Sequence, residues 1–309
     1  MAATAPQAQH TRVRLDDLTL SPGKKARLHR LLYQYGPGNG TLMVLPIDQG
    51  LEHGPVDFFD NPPSEDPDFQ FQLALEGRYS AIAVHIGLAE KYFHRYAGRV
   101  PLILKLNGKT CVPPDDNAFS PMTSSVEDAV RLGADAVGYT VYVGSPAQDI
   151  DIQQFNEVRR DAERFGMPVV VWAYPRGQYI NEKGGKNSFY AVQYAARVAC
   201  ELGADVVKVN FPEVTESKRQ QYPKPYNEFN FGFEEMVRRV VHSAGKTLVI
   251  FSGGGKISQQ ELLEQVRVGI RAGGAGLIFG RNMWQRPMDE ALDLTRDIQA
   301  VLREEAAAN

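Results

Sequence analysis

Residues 203–212, GADVVKVNFP, have the pattern of a β-strand that is covered on both faces. Val206, Val207 and Val209 give the strand apolar side chains on both sides, as in parallel sheets that lie between helices. Lys208 is the exception, because it places an ammonium group among apolar neighbours. Its meaning depends on the sheet to which this strand belongs.

The same unit occurs eight times after residue 40: a short apolar run, then a polar or glycine-containing loop, then a helical stretch. The apolar runs lie at 41–48, 81–86, 101–107, 135–142, 168–175, 205–211, 247–253 and 275–280. Seven helical crossovers and a closing helix accompany these eight runs, which predicts a (β/α)8 TIM barrel of the α/β class. An open, doubly wound sheet is the alternative.

The unit pattern leaves no linker, so we expect one domain over residues 1–309, with the barrel at about 40–300. The stretch SPGKKARLHRLLYQYG predicts a helix before the first strand, which would cap the barrel. We expect residues 1–12 and 305–309 to be disordered.

The composition excludes several classes of protein. The formal net charge is −3, which gives no basic excess for binding nucleic acid or an anionic membrane. No apolar run approaches the roughly 20 residues of a membrane span. Cys111 and Cys200 form no C-x-x-C motif, which argues against structural zinc and a disulfide framework and predicts a reducing, cytoplasmic location.

Lys208 is the first candidate for chemistry. Side chains alternate along a strand, so Lys208 shares a face with Val206 and Asn210. A lysine beneath the helices would have no place for its charge, and we therefore expect it inside the barrel. Burial and nearby cations would lower its pKa, and a neutral amine attacks carbonyl carbons and forms Schiff bases. A structural ion pair with an interior carboxylate is the alternative.

Candidate partners follow the first, third and fifth strands. Trp172, Tyr174 and Arg176 alternate at the end of the fifth run, where Tyr174 is either a general acid/base or an interior aromatic.

Asp48 ends the first run, followed closely by His53, and Lys105 is a second lysine in an apolar strand. An aspartate at a strand end often caps a turn. Two buried lysines need compensation, so either Asp48 pairs with one of them or one lysine keeps the other neutral.

The last two runs end in a candidate anion site. Glycine backbones after strands 7 and 8 of a barrel commonly bind phosphate. The residues concerned here are Ser252, Gly253, Gly254, Gly280 and Arg281. Together with Lys208, they favour Schiff-base chemistry on a phosphorylated carbonyl compound.

Six ordered motifs, PIDQGLEHGP, LILKLNGKT, VVVWAYPRG, ADVVKVNFP, VIFSGG and GLIFGRNMWQR, resemble those of the archaeal-type class I fructose-bisphosphate aldolases, a family that also has bacterial members. The resemblance covers residues 40–300 and suggests a bacterial member. It implies a Schiff base on Lys208, Tyr174 as acid/base, Asp48 as a catalytic carboxylate, and no metal or cofactor. The same resemblance implies that the substrate is bound by Trp172, Arg176, Lys105, His53 and the phosphate residues Ser252, Gly253, Gly254, Gly280 and Arg281.

The resemblance also implies the reaction: reversible cleavage of fructose 1,6-bisphosphate to dihydroxyacetone phosphate and glyceraldehyde 3-phosphate, in glycolysis or gluconeogenesis. It implies a homo-oligomer, a pentamer or a decamer. The alternatives are a related Schiff-base lyase or acyltransferase acting on another phosphorylated ketone, and a non-catalytic barrel that binds sugar phosphates. The run Asn210-Phe211-Pro212 and the long loop 212–232 differ from the commonest family pattern, and we expect substrate choice to depend on them.

Overall fold

In a computed structural model, which describes residues 12–213 and 215–307, eight parallel strands form a closed barrel in chain order. The strands are β1 Leu42–Ile47, β2 Ala81–His85, β3 Leu102–Lys105, β4 Ala136–Val143, β5 Val169–Pro175, β6 Val206–Asn210, β7 Leu248–Ser252 and β8 Gly276–Ile278. The prediction of a TIM barrel is confirmed, and each strand lies within its predicted apolar run, except that β4 extends one residue beyond it, to Val143.

Helices connect the strands and surround the barrel. They are α1 Pro22–His29, α2 Gln49–Glu52, α3 Pro67–Glu76, α4 Ile86–Tyr92, α5 Val126–Arg131, α6 Gln148–Arg164, α7 Gln178–Asn181, α8 Phe189–Leu202, α9 Phe233–Ser243, α10 Gln259–Arg271, α11 Arg281–Trp284 and α12 Met288–Ala307. A π-helical turn, Arg30–Gln34, extends α1. Within the described ranges, we find no helix whose length and hydropathy would allow it to cross a bilayer.

Local sequence signals set the ends of these helices. Ser125 and Ser258 form capping boxes at the starts of α5 and α10, each with an acidic residue three positions later. Gly203 ends α8 in the left-handed conformation, with φ of 94°, which a residue with a Cβ rarely adopts. The chain can therefore turn directly from α8 into β6.

The side chains of β6 divide between two apolar layers. Val207 and Val209 pack in the layer between the strands and the outer helices, whereas Val206 packs inside the barrel with Leu248 and Ile250. The predicted alternation is confirmed. It directs Lys208, which has the same parity as Val206, into the barrel.

The segment before β1 covers the N-terminal end of the barrel. Leu28 and Leu31 pack with the interior residues, and Lys24 Nζ lies 2.9 Å from a carboxylate oxygen of Asp205, just before β6. Arg30 similarly pairs with Asp135, before β4, at 3.2 Å. The predicted capping helix is confirmed, and only the C-terminal end of the barrel is left for a site.

One expectation about the chain ends is wrong. Residues 305–307 continue α12, and the Glu305 carboxylate accepts two hydrogen bonds of 2.8 Å from the guanidinium of Arg271. This pair links α12 to α10 and gives the last turn of the helix a partner. Disorder was also expected for residue 12, but Arg12 is described and only 8% exposed. The other positions for which disorder was expected, 1–11 and 308–309, lie outside the described residues.

Candidate active site

Lys208 projects from β6 into the upper part of the barrel. The residue is 4% exposed, and its Nζ donates a hydrogen bond to the hydroxyl of Tyr174 on the adjacent strand β5. The two strands are in register at Trp172 and Lys208, which places Tyr174 one inward-facing position nearer the open end. Among the described residues, no carboxylate lies within ion-pair distance of Lys208, so the alternative of a structural ion pair does not apply.

Lys105 on β3 makes the ion pairs that Lys208 lacks. Its Nζ lies 3.1 Å from Oδ2 of Asp48 and 3.1 Å from Oε1 of Glu52. The same ammonium lies 4.6 Å from the centre of the Trp172 ring, a cation–π distance. Although Asp48 precedes α2, its side chain does not cap that helix. Of the two arrangements that the sequence left open, Asp48 therefore pairs with Lys105.

The two lysines have opposite pKa shifts. Burial lowers the pKa of Lys208 to about 8, and the nearby charges of Lys105 and Arg176 contribute to the lowering. Burial also acts to lower the pKa of Lys105, but the carboxylates of Glu52 and Asp48 outweigh it and raise that pKa well above the ordinary value. At pH 7, a lysine with a pKa of about 8 has roughly 300 times more neutral amine than one with an ordinary pKa.

The carboxylate and the phenol beside Lys208 also have shifted pKa values. Burial alone would raise the pKa of Asp48, but the positive charges of Lys105 and Lys208 hold it at about 2. For Tyr174, burial and then the carboxylates of Glu52 and Asp48 raise the pKa well above its usual value. Asp48 is therefore a stable anion, and Tyr174 keeps its proton until a basic atom comes within reach.

The predicted anion site lies where β7 and β8 end. Ser252 is the last residue of β7, and the glycines that follow it form a wall of backbone at the open end of the barrel. A Cβ on Gly253 would lie 2.9 Å from Nδ2 of Asn282, and one on Gly280 would lie 2.7 Å from Nε2 of Gln49. Both positions are therefore close approaches that a side chain would obstruct.

Arg281 is the first residue of α11, directly after Gly280. Its guanidinium donates a 3.2 Å hydrogen bond to the carbonyl oxygen of Gly254, which links the loops after β7 and β8. Asn282 makes the parallel link to the carbonyl oxygen of Gly255, at 3.0 Å. The two loops thus form one surface that carries a guanidinium.

A cavity of about 260 Å³ brings most of the predicted site residues together. Its walls include the predicted residues Asp48, His53, Tyr174, Arg176, Lys208, Ser252, Gly253, Gly254, Gly280 and Arg281. Trp172 and Lys105, which were also predicted to contact substrate, are not in the wall. Both are 0% exposed and lie deeper in the barrel, where Lys105 is occupied by its two carboxylates. They support the site from below, and their direct contact with substrate stays a prediction.

Several further wall residues have no predicted role, and three of them carry polar side chains of chemical interest. Glu52 contributes a carboxylate, and Lys186 and Asn187 come from the loop after β5. The only sequence signal for the latter two is the preceding Gly184-Gly185 pair, which resembles any flexible turn.

Asn210 is the one member of the run Asn210-Phe211-Pro212 that lines the cavity. Its Oδ1 accepts a 2.6 Å hydrogen bond from the Ser252 hydroxyl, and its Nδ2 donates a 2.8 Å hydrogen bond to Oδ1 of Asn187. Phe211 turns away and stacks on Phe251 in the outer layer, with ring centres 4.6 Å apart. Any direct influence of this run on substrate choice therefore comes from Asn210.

The rim of the cavity carries several charged groups. His53 Nδ1 lies 2.6 Å from the carboxylate of Asp57, which orients the imidazole. Across the cavity, Arg176 Nε lies 3.1 Å from the carboxylate of Asp115. Arg176 and Lys186 both line the cavity on this side, and the charge of Arg176 and then burial lower the pKa of Lys186. The rim beside β5 is therefore a second place where an anion would be stabilised.

An amine of lowered pKa inside a barrel reacts, in its neutral form, with a carbonyl carbon that enters from the open end. This fold and site define a barrel enzyme of the lysine-dependent, Schiff-base class. The chain belongs to the DeoC/LacD aldolase family, whose sequence profile matches residues 42–286.

Named relatives agree with this assignment. The chain is 41% identical over 249 residues to the fructose-bisphosphate aldolase class 1 of Thermoproteus tenax, covering 80% of this chain and 84% of the relative. It is 38% identical over 275 residues to the enzyme of the same name from Halobacterium salinarum, covering 88% and 94%. A solved archaeal fructose-1,6-bisphosphate aldolase, with its catalytic lysine covalently bound to the carbinolamine intermediate of the substrate, superimposes with a TM-score of 0.74. That structure is 37% identical and covers 89% of this chain and 98% of its own.

Proposed function

We propose that this protein is a class I aldolase that cleaves fructose 1,6-bisphosphate reversibly, with Lys208 as the Schiff-base residue. The observation that carries the proposal is the contact between Lys208 and Tyr174, because it joins an amine of lowered pKa to a protonated phenol in one cavity. The names of the relatives support the choice of substrate.

The first stage forms the covalent intermediate. The free amine of Lys208 attacks C2 of the open-chain sugar and gives a carbinolamine. Tyr174, with Asp48 and water, transfers the protons that allow the C2 oxygen to leave as water, so that an iminium remains. The carboxylate of Asp48, with its pKa of about 2, stabilises this cation electrostatically.

The second stage breaks the C3–C4 bond. A base takes the proton of the C4 hydroxyl, C4 becomes the aldehyde carbon of glyceraldehyde 3-phosphate, and the bonding electrons move to the iminium to give an enamine. Asp48 and Glu52 are the carboxylates of the cavity wall that are available as the base. Tyr174 then delivers a proton to C3, and water hydrolyses the new iminium to release dihydroxyacetone phosphate and the free amine.

We assign the two phosphates of the substrate to the two anion-stabilising regions of the cavity. The C1 phosphate, next to the Schiff base, is assigned to the surface formed by Ser252, Gly253, Gly254, Gly280 and Arg281. The C6 phosphate is assigned to the region beside β5, where Arg176 and Lys186 line the cavity.

Cleavage of fructose 1,6-bisphosphate by the purified protein, followed through the release of glyceraldehyde 3-phosphate, tests the proposal. We expect full activity in EDTA, because the iminium replaces a metal ion as the electron sink. An enzyme that needs an added metal, or that fails to cleave the sugar but transfers an acyl group from a phosphorylated ketone to coenzyme A, would contradict it.

We also propose a cytoplasmic homo-oligomer, a pentamer or a decamer. Two observations support this: Cys111 and Cys200 are unpaired thiols, and the apolar side chains of Val56 and Phe59 are 59% and 60% exposed. Light scattering on the eluted protein gives the mass. A monomer at working concentration would contradict the assembly.

A further inference from the structure

The loop after β6 packs against the loop after β5. We call residues 212–232 the β6 loop, described except for residue 214, and residues 176–188 the β5 loop. The contact centres on Tyr222, which is 5% exposed although it belongs to a surface loop. A Cβ added to Gly184 would lie 2.0 Å from Cε1 of Tyr222, so the ring lies directly against the backbone of the β5 loop.

Hydrogen bonds attach the start of the β6 loop to the same place. The backbone N–H of Glu213 donates to the carbonyl oxygen of Asn187 at 2.7 Å, and Nδ2 of Asn187 donates to a carboxylate oxygen of Glu213 at 3.2 Å. The N–H of Thr215 donates to the hydroxyl of Tyr222 at 3.0 Å, which folds the loop back on itself. The ring of Tyr222 is therefore fixed at the point where it meets Gly184.

This contact acts on the turn that carries Lys186. Gly184 and Gly185 have φ of 96° and 93°, a conformation that glycine adopts readily but that gives the turn no side-chain packing of its own. Backbone hydrogen bonds hold Gly185 to Ile180 and Ser188, at 2.9 and 3.1 Å, and the ring of Tyr222 adds the packing contact at Gly184. Among the described residues, no carboxylate is within ion-pair distance of Lys186, so no ion pair fixes its ammonium group. The position of Lys186 in the cavity wall thus depends on how its backbone is held.

We propose that Tyr222 is a positioning residue for Lys186 and that the β6 loop thereby sets the affinity for the phosphate monoester at the far end of the substrate. This inference rests on the proposed function, because it assigns Lys186 to the phosphate that is remote from the Schiff base. If the turn is loosened, Lys186 is less ordered in the free protein, and binding of the phosphate must then order it. The entropy lost in this ordering weakens binding. The chemistry at C2 and C3 is unaffected.

The test compares Tyr222→Ala with Tyr222→Phe, which keeps the ring and loses only the hydroxyl. Tyr194→Ala is the matched control, because Tyr194 is 50% exposed on α8. The substrates are fructose 1,6-bisphosphate and fructose 1-phosphate, which lacks the remote phosphate. For Tyr222→Ala, we expect KM for the bisphosphate to rise about three- to tenfold with kcat nearly unchanged, and no change in KM for fructose 1-phosphate. Tyr222→Phe, which keeps the ring against Gly184 but loses the bond from Thr215, should raise KM for the bisphosphate less than Tyr222→Ala does. Tyr194→Ala should behave like the wild type.

Gly184→Ala approaches the same contact from the other side and covers the case in which Tyr222→Ala does not fold. It should raise KM for the bisphosphate in the same selective way. An unchanged KM in a folded variant would overturn the inference, and so would an equal rise for both substrates. Failure of the proposed function is distinguishable, because the wild-type protein itself would then not cleave the bisphosphate.

Discussion

Exchanging Lys105 for methionine should make Lys208 less reactive, although the two side chains are not bonded to each other. The exchange removes a cation that lowers the pKa of Lys208, and it also frees the carboxylates of Asp48 and Glu52. Both carboxylates already act to raise that pKa, and Lys208 becomes the nearest ammonium that they can stabilise. The pKa of Lys208 should therefore rise from about 8 towards the ordinary value.

The size of the effect follows from the free-amine fraction. Each unit by which the pKa rises lowers the amount of neutral amine at pH 7 about tenfold, and a complete return to an ordinary lysine would lower it roughly 300-fold. The measurement is the pH dependence of kcat/KM for fructose 1,6-bisphosphate, whose rising limb reports this ionisation in the free enzyme. Because removing one partner of a buried ion pair costs about 3–5 kcal/mol, the variant should be assayed well below its melting temperature.

Asp48→Asn provides the comparison of opposite sign. It removes a carboxylate that raises the pKa of Lys208, so the rising limb should move below pH 8, even though turnover falls with the loss of a proton-transfer group. If the rising limb of the kcat/KM profile of Lys105→Met stays at the wild-type pH or moves to lower pH, the reasoning about this charge network is wrong. Shifts of both variants in the same direction would refute it as well.

Three further predictions concern single side chains. Tyr174→Phe should still form the Schiff base but lose about 10²–10⁴ in turnover, measured by borohydride trapping alongside steady-state kinetics; wild-type turnover would remove Tyr174 from the proton transfers. Burial and the charge of Lys105 lower the pKa of His85 to about 4, so the unfolded chain takes up this proton first as the pH falls. The free energy of unfolding should then decrease by roughly 3 kcal/mol between pH 6.5 and 4, and denaturant titrations should show a smaller decrease in His85→Leu. Lys186→Met should raise KM for fructose 1,6-bisphosphate and leave fructose 1-phosphate unaffected; an equal effect on both substrates would argue against its place at the C6 phosphate.

The barrel could be predicted from sequence because its signals are local. Covered parallel strands are apolar on both faces, and capping residues such as Ser258 and Gly203 mark where helices begin and end. The end of α12 could not be predicted in this way. Its stability involves Glu305 pairing with Arg271, 34 positions away, and sequence patterns do not reveal such a contact.

The candidate site was predictable to the extent that strand parity and strand order place residues. Parity directed Lys208 and Tyr174 into the barrel, and their hydrogen bond follows from the pairing of β5 with β6. Parity does not show how deeply a side chain lies in the barrel or which groups it contacts there. It therefore could not show that Lys105 is fully buried and paired with two carboxylates, or that a glycine turn brings Lys186 into the wall.

The central claim is that Lys208 is the amine that bonds to substrate. Borohydride reduction in the presence of dihydroxyacetone phosphate, followed by mass spectrometry of the digested protein, tests it directly. We predict one adduct per chain, on the peptide that carries Lys208, and none in a folded Lys208→Met variant. An adduct on Lys105 or on another lysine, or one that persists in Lys208→Met, would contradict the claim.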